Sequence, residues 1–109
     1  MDAQLKRGML DVCVLVAIKN QDSYGYKIMK DMKPYVDMSE STLYTILKRL
    51  ETAEMLTVRT SEHGGRLRKY YHITEAGKRR IAEFRAEWSE VMSMYRFITK
   101  EEGESEQHE

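Results

Sequence analysis

The chain has 109 residues, with 18 basic and 18 acidic side chains and a formal net charge of zero. This length fits one domain with an appended element, and the single cysteine, Cys13, excludes an internal disulfide or a cluster of cysteine metal ligands. The longest apolar run, Val12 to Ile18, is far shorter than the roughly 18 residues of a membrane span, and acidic Asp11 precedes it instead of a basic export flank. We therefore expect a folded cytoplasmic protein that does not contact membranes.

The zero net charge hides an uneven distribution along the chain. Residues 42–80 carry nine basic and four acidic side chains, whereas residues 101–109 carry five glutamates and no base. Because phosphate binding needs local positive potential, a nucleic-acid partner would bind the central segment. The acidic tail, from residue 100 onward, is polar enough to be disordered.

The first two predicted elements are helices. Apolar residues within 5–18 recur at helical spacing and occupy more than one face, so the first helix should be buried on several sides. From Tyr24, apolar residues line one side of a short second helix that Pro34 should end.

A third helix is predicted to begin with a cap at Ser39 or Ser41 and to run to about Glu54. Its inward face consists of apolar residues between Leu43 and Leu50, which leaves hydroxyl and basic side chains on the other faces. Hydroxyls bond base edges or phosphates and bases add charge, so this set suits a helix that enters the major groove. An ordinary solvated helix face is the alternative. The predicted DNA contacts are Ser39, Ser41, Thr42, Tyr44, Thr45, Lys48 and Arg49.

The apolar period then changes from helical to two residues, which is typical of strands. One strand is predicted from Leu56 to Glu62, and glycines in the turn lead into a returning strand that ends at Ile73. The hairpin tip combines flexible glycines with three cations, so its backbone could approach phosphates closely. A basic hairpin can also serve only to discourage edge pairing, which is the alternative. The predicted wing contacts are Gly65, Arg66, Arg68 and Lys69.

Thr74 can cap a last helix whose apolar residues recur at steps of three and four, as in a coiled coil. Such a stripe is too apolar for a lone surface helix, and a two-fold contact between two copies is the simplest way to cover it. We expect a winged-helix domain over 1–74, a dimerisation helix over 75–99 and a disordered acidic tail over 100–109. The predicted dimer contacts are Ile81, Phe84, Trp88, Val91, Tyr95 and Ile98.

The element order ααα-ββ-α makes the chain mostly helical with a β-hairpin wing, which is the winged helix-turn-helix arrangement. Several motifs together resemble the PadR family of bacterial transcriptional regulators, in its short subfamily with one C-terminal helix, across residues 5–98. The resemblance implies a homodimer whose third helix contacts the major groove, whose wing contacts flanking DNA, and which represses until a small molecule releases it. The motifs are Gly8 with Leu10, Tyr24-Gly25-Tyr26, Leu43-Tyr44 with Leu47, Leu50 and Glu51, Gly65 through Arg68-Lys69-Tyr70-Tyr71, and Thr74-Glu75-Ala76-Gly77.

The position of Trp88 resembles that of a tryptophan in drug-responsive PadR regulators, where paired rings from two subunits sandwich flat molecules. This resemblance implies that Trp88 stacks an aromatic inducer, lined by Leu5, Val12, Val16 and Met92. A tryptophan that simply packs in the dimer core is an equal alternative. Met92 stands where such a drug-responsive regulator has an acidic residue, which argues against binding of cationic drugs.

Two positions depart from the family pattern. Glu54 stands where the family usually has the glycine that ends the third helix, so the left-handed cap expected there is either absent or strained. Leu67 stands where a wing proline is common and leaves an apolar residue exposed.

The sequence gives little support for an enzyme or for a metal-binding protein. The sequence has no activated nucleophile, no glycine-rich phosphate loop and no paired carboxylates on a rigid site, so we expect neither an enzyme nor a cofactor. His63, His72 and His108 lack ligand spacing, which argues against a metal. A winged-helix module that binds nucleic acid or protein without responding to a ligand is the remaining alternative.

Overall fold

The computed structural model describes the backbone of residues 1–107 and the side chains of residues 1–100. The element order confirms the predicted ααα-ββ-α arrangement of a winged helix. Within the described part of the chain, no helix is long and apolar enough to cross a membrane. The elements are α1 (Ala3–Ala17), α2 (Gly25–Met32), α3 (Glu40–Thr52), β1 (Leu56–His63), β2 (Arg66–Ile73) and α4 (Glu75–Gln107).

Local capping explains where the helices begin. Ser39 caps α3, because its side chain accepts a hydrogen bond from the backbone N–H of Thr42 at 3.1 Å. Thr74 caps α4 in the same way by accepting from the N–H of Gly77 at 3.2 Å. The sequence predicted both caps, and α2 ends at Met32, before Pro34, as expected.

The hydrophobic core lies between the three N-terminal helices, the base of the hairpin and the first turns of α4. Ile81 of α4 belongs to this core and is only 1% exposed. It therefore packs within its own chain, unlike the surface contact that the apolar stripe predicted for it, because the winged domain already covers the start of that stripe. The other buried apolar residues are Val12, Val14, Leu15, Ile18, Ile28, Met32, Leu43, Ile46, Leu47, Leu50, Leu56, Tyr71 and Ile73.

The hairpin is antiparallel, and the pairing of His63 with Arg66 leaves only a two-residue turn. Gly64 and Gly65 have φ values of 57° and 80°, the positive values that a two-residue type I′ turn requires. The second strand thus begins at Arg66, directly after the turn. Ser23 pairs with Tyr71 through backbone hydrogen bonds of 3.2 and 2.8 Å, which fixes the base of the hairpin to the helical body.

The turn after α3 has the hydrogen bonds of a Schellman motif, with Met55 N–H donating to Leu50 O and Glu54 N–H to Glu51 O, both at 2.9 Å. Glu54 takes the left-handed position with φ of 61°. The cap expected from the sequence is therefore present and strained. The hydroxyl of Thr74 donates to the carbonyl of Glu54 at 2.8 Å, so this turn also positions the start of α4.

Helix α4 extends well beyond the winged domain. The chain measures 67 × 25 × 25 Å and its radius of gyration is 17.7 Å, against about 13 Å for a compact chain of this length. The helix continues to Gln107, whereas the sequence predicted that order would end near residue 99. The tail is rich in glutamate and glutamine, which are good helix formers and can continue the helix. Of the predicted tail, residues 108 and 109 lie outside the described residues.

Candidate nucleic-acid interface

Helix α3 separates an apolar face from a hydroxyl face, as predicted. Its four core residues are at most 2% exposed, whereas its serines and threonines are open to solvent. At the start of the helix, the hydroxyl of Ser39 lies 3.2 Å from that of Ser41 and 2.9 Å from that of Thr42. One turn later, the hydroxyl of Thr45 donates to the carbonyl of Ser41 at 3.0 Å. These exposed hydroxyls are ordered donors and acceptors, of the kind that contact base edges or phosphates.

The two bases of α3 have different surroundings. Lys48 is exposed, and among residues 1–100 no carboxylate lies within ion-pair distance of it. Arg49 forms an ion pair with Asp11 of α1, and its side chain is only 34% exposed. The charge of Arg49 is thus used in an ion pair that joins α3 to α1. Lys48 is the base of α3 that a phosphate could reach.

Tyr44 packs against the start of α2. A Cβ atom added to Gly25 would overlap the hydroxyl oxygen of Tyr44, so a larger residue there would require the Tyr44 ring to move. Tyr44 nevertheless keeps 44% of its surface exposed. The glycine of the Tyr24-Gly25-Tyr26 motif therefore sets the position of an exposed side chain on α3.

The cations of the wing also differ in their surroundings. The guanidinium carbon of Arg68 lies 3.8 Å from the ring centre of Tyr24, and its Nη1 donates to the hydroxyl of Tyr70 at 3.4 Å. Arg68 is therefore half-buried, and its contact with Tyr24 connects β2 to the start of α2. Arg66 and Lys69 are exposed, and among residues 1–100 neither forms an ion pair. These two side chains are therefore the cations of the wing that a phosphate could reach.

An ion-pair network holds the base of the hairpin. The Asp22 carboxylate lies 2.8 Å from Nδ1 of His72 and accepts from Arg59 at 3.4 Å. The hydrogen bond with His72, and then the nearby charges of His72 and Arg59, hold the pKa of Asp22 below its ordinary value. Asp22 thus stays ionised and links the segment before α2 to both strands.

Two clefts border α3. The first, which we call the wing cleft, has a volume of about 390 Å³ and brings Tyr44 of α3 next to Lys69 of β2 and Tyr26 of α2. The second, the α1–α3 cleft, has a volume of about 310 Å³ and places Lys6 and Arg7 of α1 beside Ser41, Thr42 and Thr45. The sequence prediction missed Tyr26, Lys6 and Arg7. The sequence features that could have indicated them are the aromatic side chain directly after Gly25 and the two adjacent basic residues at the start of α1.

Residues 14–83 match the sequence profile of the transcriptional regulator PadR-like family. The chain belongs to the PadR-like family of transcriptional regulators. Members of this family are transcription factors without enzymatic activity. The chain is therefore a transcription regulator and not an enzyme. A protein of Lysinibacillus sphaericus without an assigned function is 38% identical in an alignment of 91 residues that covers 78% of this chain and 83% of that protein.

Several solved structures, PadR family regulators among them, share this fold. A protein from Streptococcus mutans is 39% identical, with a TM-score of 0.76 over 84% of this chain and 88% of its own. A PadR family regulator from Clostridium difficile is 29% identical, with a TM-score of 0.75 over 82% of this chain and 97% of its own. Bacillus subtilis PadR, solved in complex with operator DNA, is 25% identical, with a TM-score of 0.66 over 70% of this chain and 46% of its own.

The residues predicted to bind an inducer are only partly brought together. Val12 and Val16 line an apolar groove of about 340 Å³ with Phe84, and the half-buried ring of Trp88 lies 5.9 Å from that of Phe84. Leu5 and Met92 lie outside this groove and are exposed. Among the described residues no cluster of metal-ligating side chains occurs, and His108 lies beyond them.

Proposed function

We propose that this PadR-like regulator binds a specific double-stranded DNA sequence as a homodimer and represses transcription until a small molecule releases it. The observation that carries the proposal is the wing cleft, where Tyr44 of the third helix and Lys69 of the wing line one surface. The relative from Bacillus subtilis was solved on operator DNA, and its fold is similar over 70% of this chain. A cytoplasmic location fits this role.

In this proposal α3 enters the major groove and the wing follows the adjacent backbone. Sequence would be read by the hydroxyls of α3, because hydroxyl side chains can bond base edges. Affinity would come mainly from cations that neutralise phosphates. Arg49 and Arg68 would act chiefly through packing, since the first is paired with Asp11 and the second stacks on Tyr24. The proposed reading set is Ser39, Ser41, Thr42, Tyr44 and Thr45, and the proposed backbone set is Lys48, Gly65, Arg66 and Lys69.

The proposed dimer uses the distal part of α4, within 75–99, while residues 1–74 form the DNA-binding unit. Val91, Tyr95 and Ile98 lie on one side of the helix and are 36%, 54% and 69% exposed. An exposed apolar stripe on a protruding helix is what a second copy could cover by a two-fold contact. Phe84 and Trp88 would lie where this stripe meets the winged domain.

Release by a flat aromatic inducer is proposed from the groove beside α1. Its lining by Val12, Val16 and Phe84 is strongly apolar, and Trp88 is the only tryptophan of the chain. Binding next to Trp88 would therefore change the intrinsic fluorescence when flat aromatic compounds are added. Unchanged emission across a broad panel would favour the second candidate, a regulator without ligand response in which Trp88 only packs.

The experiment that tests DNA binding is selection of bound duplexes from random DNA, followed by a salt titration of the affinity for the recovered sequence. We expect the affinity to fall steeply with salt. Arg66→Ala and Lys69→Ala should each flatten the plot of log affinity against log salt by about one unit for each bound chain, which is about two units for the dimer. Arg85→Ala on α4, which removes an exposed cation outside both clefts, is the matched control and should leave the slope unchanged. Equally tight binding at all salt concentrations would refute the proposal.

A further inference from the structure

We propose that Lys6 and Arg7 form a second phosphate-binding arm, which contacts the DNA backbone at the edge of α3 away from the wing. This inference rests on the proposed function, because it assumes that α3 lies in the major groove. It adds a DNA contact made by α1, an element outside the helix-turn-helix and the wing.

The first step is the position of the arm. Both side chains line the α1–α3 cleft, on the α1 face that also includes Ala3 and Leu10. Across the cleft lie Thr42 and Thr45, in the N-terminal half of the helix that is proposed to read the bases. Recognition helices commonly contact base edges through their N-terminal residues, so a cation at this end lies close to the duplex.

The second step is charge. Lys6 and Arg7 are exposed, and among residues 1–100 neither has a carboxylate within ion-pair distance. The acid nearest to them at the start of α1, Asp2, accepts the N–H of Leu5 as a helix cap. Arg49, which lines the same cleft, is compensated by Asp11. The uncompensated positive charge of this cleft therefore comes from Lys6 and Arg7.

The third step is the order of residues around α3. At about 100° per residue, Lys48, Ser41 and Thr45 follow Tyr44 at roughly 40°, 60° and 100°, and Thr42 lies at roughly 160°. Tyr44 borders the wing cleft, and Thr42 borders the α1–α3 cleft. The exposed strip of α3 is thus flanked by Lys69 on one side and by the Lys6–Arg7 pair on the other.

This arrangement matches the shape of the major groove. The groove is about 12 Å wide and is bounded by a phosphate backbone on each side, so a helix of about 10–12 Å diameter lies between two rows of phosphates. The wing supplies cations for one row. Lys6 and Arg7 supply them for the other and would fix the register of α3 in the groove, because phosphate contacts position a protein on the duplex.

The test measures the salt dependence of binding by the full-length chain to the duplex recovered in the selection. The double variant Lys6→Ala/Arg7→Ala should weaken binding to all duplexes by a similar factor and flatten the salt slope by roughly two units for each bound chain, with base preference unchanged. Lys6→Gln/Arg7→Gln should do the same, and circular dichroism should show both variants folded. Arg85→Ala is the matched control.

Duplexes with single neutral methylphosphonates locate the contact. The wild-type chain should lose affinity for substitutions at both edges of the groove, whereas the double variant should become insensitive at one edge only. A wild-type slope in the double variant, with the wing variants still flattened, overturns the arm and leaves the proposed function standing. A wild-type chain that binds no duplex overturns both.

Discussion

Two single residues at the junction of α3, β1 and α4 set the geometry of the winged domain. Glu54 is in the left-handed region with φ of 61°, where a side chain is disfavoured by roughly 1–2 kcal/mol. Gly77 lies where an added Cβ would overlap the carbonyl oxygen of Met55 and approach Ile73 to 2.7 Å. The first position carries strain that glycine would remove, and the second needs its glycine.

Replacing Glu54 with glycine should raise the free energy of unfolding by about 1 kcal/mol, because glycine adopts positive φ without steric cost. The hydrogen bond from Thr74 to the carbonyl of residue 54 is unaffected by the substitution. Urea unfolding at one fixed chain concentration measures the change. Glu51→Gly, in the last turn of α3, is the matched control and should lower stability by roughly 0.5–1 kcal/mol. A loss of stability in both variants would contradict this interpretation of the turn.

Gly77→Ala should lower the free energy of unfolding by about 1–3 kcal/mol, because α4 must move away from the backbone of Met55. The sign is informative, since alanine in a helix normally stabilises relative to glycine by about 1 kcal/mol. Gly8→Ala in α1 is the control: its Cβ would meet only Arg80, at 4.0 Å, so stability should rise. Stabilisation by both substitutions in thermal unfolding would disprove close packing at Gly77.

At the scale of elements, α4 has two parts with different surroundings. Its first turns pack on the core through Ile81, whereas the exposed apolar residues of its distal part include Tyr95 and Ile98. The wing, by contrast, is held at its base by Ser23 and Asp22, and only its tip is free. The base of the wing is thus fixed to the helical body, while the distal part of α4 leaves its apolar surface exposed.

Charged substitutions on this stripe should dissociate the proposed dimer. Tyr95→Glu and Ile98→Glu place a carboxylate on the surface that two copies would share, so the dissociation constant should rise at least about tenfold. Ser93→Glu adds the same charge roughly 200° around the helix from Val91 and should leave it unchanged. Sedimentation velocity over a concentration series measures the constants. An equal effect of all three substitutions would exclude a dimer built on this stripe.

For the whole molecule, local patterns predicted the fold almost completely. The change from helical to two-residue periodicity placed the strands, and the caps at Ser39 and Thr74 were readable because the donor lies three residues from each acceptor. The site was only partly predictable. Arg49 pairs with Asp11, 38 residues away, and Arg68 stacks on Tyr24, 44 residues away, so no local pattern could show these two contacts.

The same limit explains the other differences. Ile81 and Tyr95 belong to one apolar stripe, and only the folded chain distinguishes the part that the winged domain covers from the part that it leaves open. The position of Lys6 and Arg7 beside α3 could not be predicted from the sequence, because it depends on packing between helices more than 30 residues apart.

The mass of the complex between the full-length chain and its selected duplex, measured by sedimentation equilibrium in dilute salt, tests homodimeric DNA binding most directly. We predict two chains for each duplex, because two copies joined through α4 would present two α3 helices and two wings to one side of the DNA. A chain that sediments as a monomer and leaves the duplex unbound would contradict this.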